Sequence, residues 1–154
     1  MIFRKILCAF DGSEASRKAL DYAADIANEC KGEIIILTVV PKVTLPVFPD
    51  EGLGSAPISA AQDLGEYQDR MRAVYKKAQE DAEKALAENF KSLKATSVFV
   101  EGRPSAVIVE HAEKNDVDLI VIGSRGLGGI SGWILGSTSR RVAESCTKPI
   151  LILK

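Results

Sequence analysis

The stretch Val117–Val142, VDLIVIGSRGLGGISGWILGSTSRRV, decides the reading of this chain. VDLIVIG is a run of aliphatic and β-branched residues with little polar alternation, the pattern of a strand covered on both faces. Six glycines follow within the fourteen residues Gly123 to Gly136, and a helix is predicted from Ser137 to Cys146, ahead of Pro149. Glycine lets a ligand approach the main chain closely. A helix opening at Gly136-Ser137-Thr138-Ser139 aims unpaired amides and its positive dipole end at the same space. The hydroxyls of Ser124, Ser137, Thr138 and Ser139 add neutral donors, and Arg125 offers a positive charge suited to terminal phosphates. The combination predicts a phosphate cradle; the plainer alternative, a flexible linker, needs neither this spacing nor the hydroxyl cluster.

Working outward, short apolar runs alternate with longer amphipathic ones, which predicts an α/β fold with a parallel sheet. The other strands are expected at Lys5–Phe10, Glu33–Val40, Thr96–Glu101 and Pro149–Leu153, with the fourth at Val117–Gly123. A first helix should start near Ser13, where Asp11 and Ser13 can cap amides, and stop at Gly32. Leu64, Tyr67, Met71, Val74, Ala78, Ala82, Ala85 and Leu86 suggest the core stripe of a long second helix. A third begins at GRPSA, where Pro104 suits a first helical turn. Residues 41–61, rich in Pro, Gly and Ser, read as a long loop that either covers a ligand or is an insertion without a partner.

The chain's 154 residues suit one domain spanning 1–154, with no internal repeat and no second domain. A net charge of −1 argues against nucleic acid and anionic membranes as partners. No run approaches the roughly 18 apolar residues of a spanning helix, and no leader is evident, so a cytoplasmic protein is expected. Cys8, Cys30 and Cys146 lack metal-ligand or CxxC spacing and read as small buried residues. His111, the only histidine, reads as an exposed helical residue with no nucleophile beside it. Trp133 either anchors the glycine turn or lies in a subunit contact.

Two familiar cradles fail on spacing. A Walker A loop needs Gly-Lys-Ser/Thr, and no lysine occurs between Gly123 and Arg141. In a dinucleotide fingerprint starting from Gly126 and Gly128, the third glycine position holds Ser131. What fits is Gly123-x2-Gly126-x9-Gly136-Ser137, and here the chain resembles the universal stress protein family. The resemblance takes in AFDGSEAS with Asp11, LTVV with Val39, EGRPSAVI, and the closing LGSTSRRVAESCTKPILIL.

The resemblance implies an open doubly wound five-stranded parallel sheet of order 3-2-1-4-5, with ATP across the carboxyl ends of strands one and four. It implies that Ala9 and Phe10 line the base pocket, that Asp11 sits by the ribose or metal side, and that the Val39 main chain reads adenine. Gly123, Ser124, Arg125, Gly126, Leu127, Gly128 and Gly129, with Gly136, Ser137, Thr138 and Ser139, would wrap the phosphates, and Mg²⁺ or Mn²⁺ would bridge them. Ala9 and Phe10 depart from the Pro or Val frequent in the family's first turn, and Phe10 is bulky enough to turn into the core. The implied partner is a second copy, through the C-terminal strand; a regulatory role would add a downstream protein that senses the nucleotide state. Three functions compete: an ATP-binding regulatory module with at most slow hydrolysis, a genuine ATPase or nucleotide-transferring enzyme, and a nucleotide-free interaction protein. Only Asp11 and Arg125 offer themselves for phosphoryl transfer, which favours the first.

Overall fold

The computed structural model describes residues 3–44, 58–127 and 135–154. The elements follow in the order β1 (Lys5–Ala9), α1 (Glu14–Glu29), β2 (Glu33–Pro41), α2 (Ile58–Asn89), β3 (Lys94–Gly102), α3 (Pro104–Lys114), β4 (Leu119–Gly123), α4 (Ser137–Ser145) and β5 (Ile150–Leu153). All strand pairs are parallel, and the sheet order is β3-β2-β1-β4-β5. This is the α/β architecture expected from the alternating runs.

The order follows from handedness. Right-handed crossovers through α1 and α2 carry the sheet outward to β2 and β3, so both helices lie on one face; α3 and α4 carry it the other way and cover the opposite face. The packing matches. Ile6, Cys8, Ile34 and Ile36 bury themselves with Ala19, Ala23 and Ala27 of α1 and Ala82 and Leu86 of α2. On the other face Leu7, Ala9, Ile35, Leu37, Ile120 and Ile122 meet Ile108 and Ala112 of α3 and Val142 of α4. Strands β1, β2 and β4 are buried on both faces along most of their length, which is why their sequences run apolar without alternation.

Several expectations change. Pro41 belongs to β2 and α2 already starts at Ile58, so the connection expected over 41–61 is trimmed at both ends; residues 45–57 lie outside the described ones. In α2 the inward face carries Leu64, Met71, Tyr75, Ala78, Gln79, Ala82 and Leu86, whereas Tyr67, Val74 and Ala85 are exposed. At ~100° per residue those three sit roughly 80° away from the buried line, so their apolar character does not bring them onto the inward face. Cys30 and Cys146 are half-buried rather than buried, all three cysteines are free, and burial pushes the Cys8 thiol far above its ordinary range. His111 is half-buried on α3, not exposed. Trp133 lies outside the described residues.

At the amino end of the sheet, Asp118 fastens the start of β1: its Oδ2 accepts the amides of Arg4 at 2.8 Å and Lys5 at 2.9 Å. Those two bonds hold the Asp118 carboxyl below its usual range. A depressed folded-state value means stability that is present above the unfolded value, near pH ~4, and is lost as pH falls through the folded value. We expect Asp118→Asn to flatten the acid limb of the stability curve, measured by urea unfolding between neutral pH and acid; an unchanged limb would show that Asp118 plays no part in it.

Candidate functional site

The carboxyl ends of β1 and β4 are where the strand order reverses, and a cavity of about 350 Å³ opens there. Its walls bring together Ala9, Phe10 and Asp11 from β1 and its turn, Val39 and Pro41 from β2, Gly123 to Leu127 without Ser124, and Gly136 to Ser139. Of the fifteen residues expected at the site, Gly128 and Gly129 lie outside the described residues.

The register shapes the cavity. β1 ends at Ala9, opposite Leu37, while β2 continues four residues further to Pro41 against β3. In a parallel ladder, alternate residues turn their N–H and C=O to alternate neighbours. The Leu37 carbonyl accepts the amide of Phe10, so it faces β1. Val39, two residues on, turns its own N–H and C=O the same way, past the end of β1 and over the cavity. This pair reproduces the donor and acceptor of a strand edge, which a heterocycle with adjacent acceptor and donor can complete.

The opposite wall is the helix α4. Its N-cap is Gly136, extended at φ −62°, ψ 158°, and no side chain caps it. The amides of Ser137, Thr138 and Ser139 therefore meet the cavity without an intrahelical partner, together with the positive end of the helix dipole. Ser124 holds this end in place: its carbonyl accepts the Gly136 amide at 2.7 Å and the Ser139 hydroxyl at 2.9 Å. The Ser139 hydroxyl, also within 3.1 Å of the Gly136 carbonyl, is thus committed to the turn, and Ser124, 8% exposed, is a brace behind the wall. Ser137, exposed, and Thr138, half-buried, line the cavity beside it.

Asp11 stands between the two walls. Its Oδ1 accepts the Ser13 amide at 2.9 Å and its Oδ2 the Leu127 amide at 3.3 Å, while the Ser13 hydroxyl donates to the Arg125 carbonyl at 3.4 Å. The β1–α1 turn and the glycine turn are thereby stitched together. Ser13 doubles as the N-cap of α1, accepting the Ser16 amide at 3.2 Å. Arg125 is half-buried and lines the cavity. Phe10 sends its side chain into the core with α1 and Ile36, 2% exposed, while the residue still lines the cavity; Ala9 packs on the α3 side.

Leu37, Ile122, Pro104 and Ile108 complete an apolar floor, and Tyr75 of α2 adds a wall, none of them singled out from the sequence. Their signal was weak because apolar strand and helix residues look alike whether they meet a core or a cavity. Among the described residues no three His, Cys, Asp or Glu side chains gather as a metal cage.

The chain matches the universal stress protein family over residues 2–154. It belongs to that family. The universal stress protein YxiE of Bacillus subtilis is 34% identical over 153 residues, covering 99% of this chain and 100% of that protein. Among solved structures, the universal stress protein UspA from Lactobacillus plantarum superposes with a TM-score of 0.82 at 21% identity, covering 100% of this chain and 99% of that one, which speaks for the fold. A universal stress protein in complex with cAMP superposes with a TM-score of 0.61 at 27% identity, covering 99% and 98%.

Gly123 sets a main-chain constraint on this family member's site. A Cβ there would stand 2.8 Å from the Ala15 carbonyl carbon and 3.0 Å from its oxygen, both main-chain atoms of α1. We expect Gly123→Ala to push α1 from β4 and lower stability by about 1–3 kcal/mol in chemical unfolding. A loss under about 0.5 kcal/mol, the usual scatter of surface changes, would mean the contact is not a constraint.

Proposed function

We propose that this universal stress protein binds ATP as a nucleotide-dependent regulatory module in a stress response, and that it turns ATP over at most slowly. The observation that carries the reading is the uncapped N-terminus of α4, aimed with the glycine turn into a cavity at the sheet's switch point. The relative solved with cAMP supports an adenine nucleotide as the ligand class. In this reading the Val39 main chain meets the adenine edge, Ala9 and Phe10 border the base, and the sugar passes Asp11. The phosphates rest on Gly123, Arg125, Gly126, Leu127, Gly128 and Gly129 and on the amides of Ser137, Thr138 and Ser139, with Gly136 turning the chain into the helix and Ser124 behind them.

Mg²⁺ or Mn²⁺ fits as the nucleotide's companion. With no three-residue cage among the described residues, the ion would be held by phosphate oxygens and at most by Asp11, a donor set suited to a hard cation that keeps several waters. When bound it would neutralise phosphate charge. Asp11 also has its own task, holding the Leu127 amide at the entrance, so phosphate and Asp11 contend for one wall of the turn. A cytoplasmic setting goes with this reading and is consistent with the three free thiols. No helix among the described residues is long and apolar enough to cross a membrane. A downstream protein that senses the ordered turn would be the output.

The alternative, a genuine ATPase, draws support only from Asp11 and Arg125 at the cavity. The test is to denature purified protein and identify released nucleotide by chromatography, then titrate ATP into wild type and Gly126→Trp. Because even a Cβ at Gly126 would lie 2.5 Å from Asp11 Oδ2, the indole should abolish binding. Unchanged affinity would show the cradle is wrong, and turnover near ~10 s⁻¹ with Mg-ATP would favour the enzyme.

A homodimer through β5 belongs to the same proposal: β5 is a sheet edge, and Ile150, Leu151 and Ile152 are only partly buried. Light scattering after size exclusion should give twice the 16.6 kDa chain mass at micromolar protein; a monomer there counts against the pairing.

A further inference from the structure

Helix α2 is locked to the sheet by a polar ladder along one face. Gln68 brackets the end of β2, donating through Nε2 to the Pro41 carbonyl and accepting the Val43 amide at Oε1, each at 3.1 Å. One turn on, Arg72 pairs with Glu101 at the end of β3 at 2.9 Å. Further along, Gln79 is fully buried, and its Nε2 donates to the carbonyls of Val98 at 3.0 Å and Ile36 at 3.4 Å, on adjacent strands. Its Oε1 is buried without a partner among the described residues, a cost of about 1–3 kcal/mol. An apolar residue would fill that space without the cost. What the amide supplies is a fixed register of α2 on β2 and β3.

Between Arg72 and Gln79 on this face stands Tyr75, half-buried and lining the cavity beside Asp11. Its neighbour Ala78 packs against the β1–α1 turn so closely that a Cβ on Gly12, which has φ +84°, would lie 2.8 Å from the Ala78 Cβ. The helix is thus seated on the very turn that carries Asp11. Three polar anchors and one steric contact hold Tyr75 in place, which is more than a side chain filling a gap requires.

Resting on the adenine-nucleotide reading above, we propose that Tyr75 is a ligand-contacting specificity residue, its phenolic hydroxyl donating to a ribose hydroxyl and its ring covering the sugar. The placement follows from the order of groups along the cavity. The base belongs at the Val39 main-chain edge past the end of β1 and the phosphates at α4, so the sugar crosses between them, along the lining that holds Asp11 and Tyr75. Asp11 is an acceptor and Tyr75 a donor, a pair matched to the two hydroxyls of a ribose. Burial, followed by the charge of Asp11 and the neighbouring Tyr67, raises the Tyr75 phenol above its ordinary value, so it keeps its proton at neutral pH. No ribose-free ligand, such as a bare polyphosphate, would draw on this pair.

The experiment is calorimetric titration of nucleotide-free wild type, Tyr75→Phe and Tyr75→Leu with ATP, 2′-deoxy-ATP and 3′-deoxy-ATP. Tyr75→Phe keeps the ring and should weaken ATP about three- to tenfold, the worth of one hydrogen bond, while leaving at least one deoxynucleotide within about twofold of wild type. Tyr75→Leu should weaken all three. Tyr75→Phe that shifts the three nucleotides equally, or shifts none, overturns the assignment while leaving the pocket's nucleotide reading intact. Wild type that binds none of them defeats that reading, and this one with it. Val74→Ala, on the exposed side of α2, should bind as wild type and reports any general loss of helix packing.

Discussion

The carboxyl end of the sheet is organised around the near-contact of two backbones, β4 at Gly123 and α1 at Ala15. Because Gly123 has no side chain, the first turn of α1 settles against the last residue of β4 instead of standing off by a methyl group. That closeness brings Ser13 within reach of the Arg125 carbonyl and Asp11 within reach of the Leu127 amide. It also fixes where the chain can go after β4. Ser124 is held from one side by the Leu153 carbonyl, which accepts its amide at 2.6 Å, and its own carbonyl then takes both donors from the start of α4. The cradle, its entrance and the end of β5 are in this sense one mechanical unit, assembled from main-chain hydrogen bonds with serine hydroxyls closing the gaps.

Two aspartates do related work at opposite ends of the sheet. Asp118 gathers two consecutive amides at the start of β1, and Asp11 gathers one amide from each of two turns at its end. Both satisfy backbone donors that the parallel ladder cannot reach. The difference lies in what surrounds them. Asp118 closes a finished corner of the fold, whereas Asp11 opens onto a cavity whose other wall offers further unpaired amides.

How much of this was legible follows from the kind of signal each part emits. The apolar runs of β1, β2 and β4 announced their strands because a strand buried on both faces cannot alternate, and the glycine turn stood out through its spacing and its row of hydroxyls. Strand ends were less visible: β3 begins at Lys94 and Ala95, exposed residues that join the sheet only because Glu33 and Ile34 pair with them. In α2, Tyr67 and Val74 outweighed Tyr75 and Gln79 in any count of apolar residues, yet the second pair faces inward. Gln79 is recognisable as a core residue only once the carbonyls of Ile36 and Val98 are in place beneath it, and Tyr75 as a cavity residue only once Asp11 is opposite. Likewise the Ser139 hydroxyl looked available until the turn folded back and took it.

The two edges of the sheet are unlike. β3 presents Lys94, Ala95, Thr96 and Ser97 to solvent, with Lys94 tied to Glu33, while β5 presents Ile150, Leu151 and Ile152. A sheet with two sticky edges could add copies without end. One polar, lysine-bearing edge removes that route, since strand addition there would strand charge in an apolar seam. Growth is left with a single direction, and a two-fold pairing at that edge would consume it, so association of this kind would terminate itself.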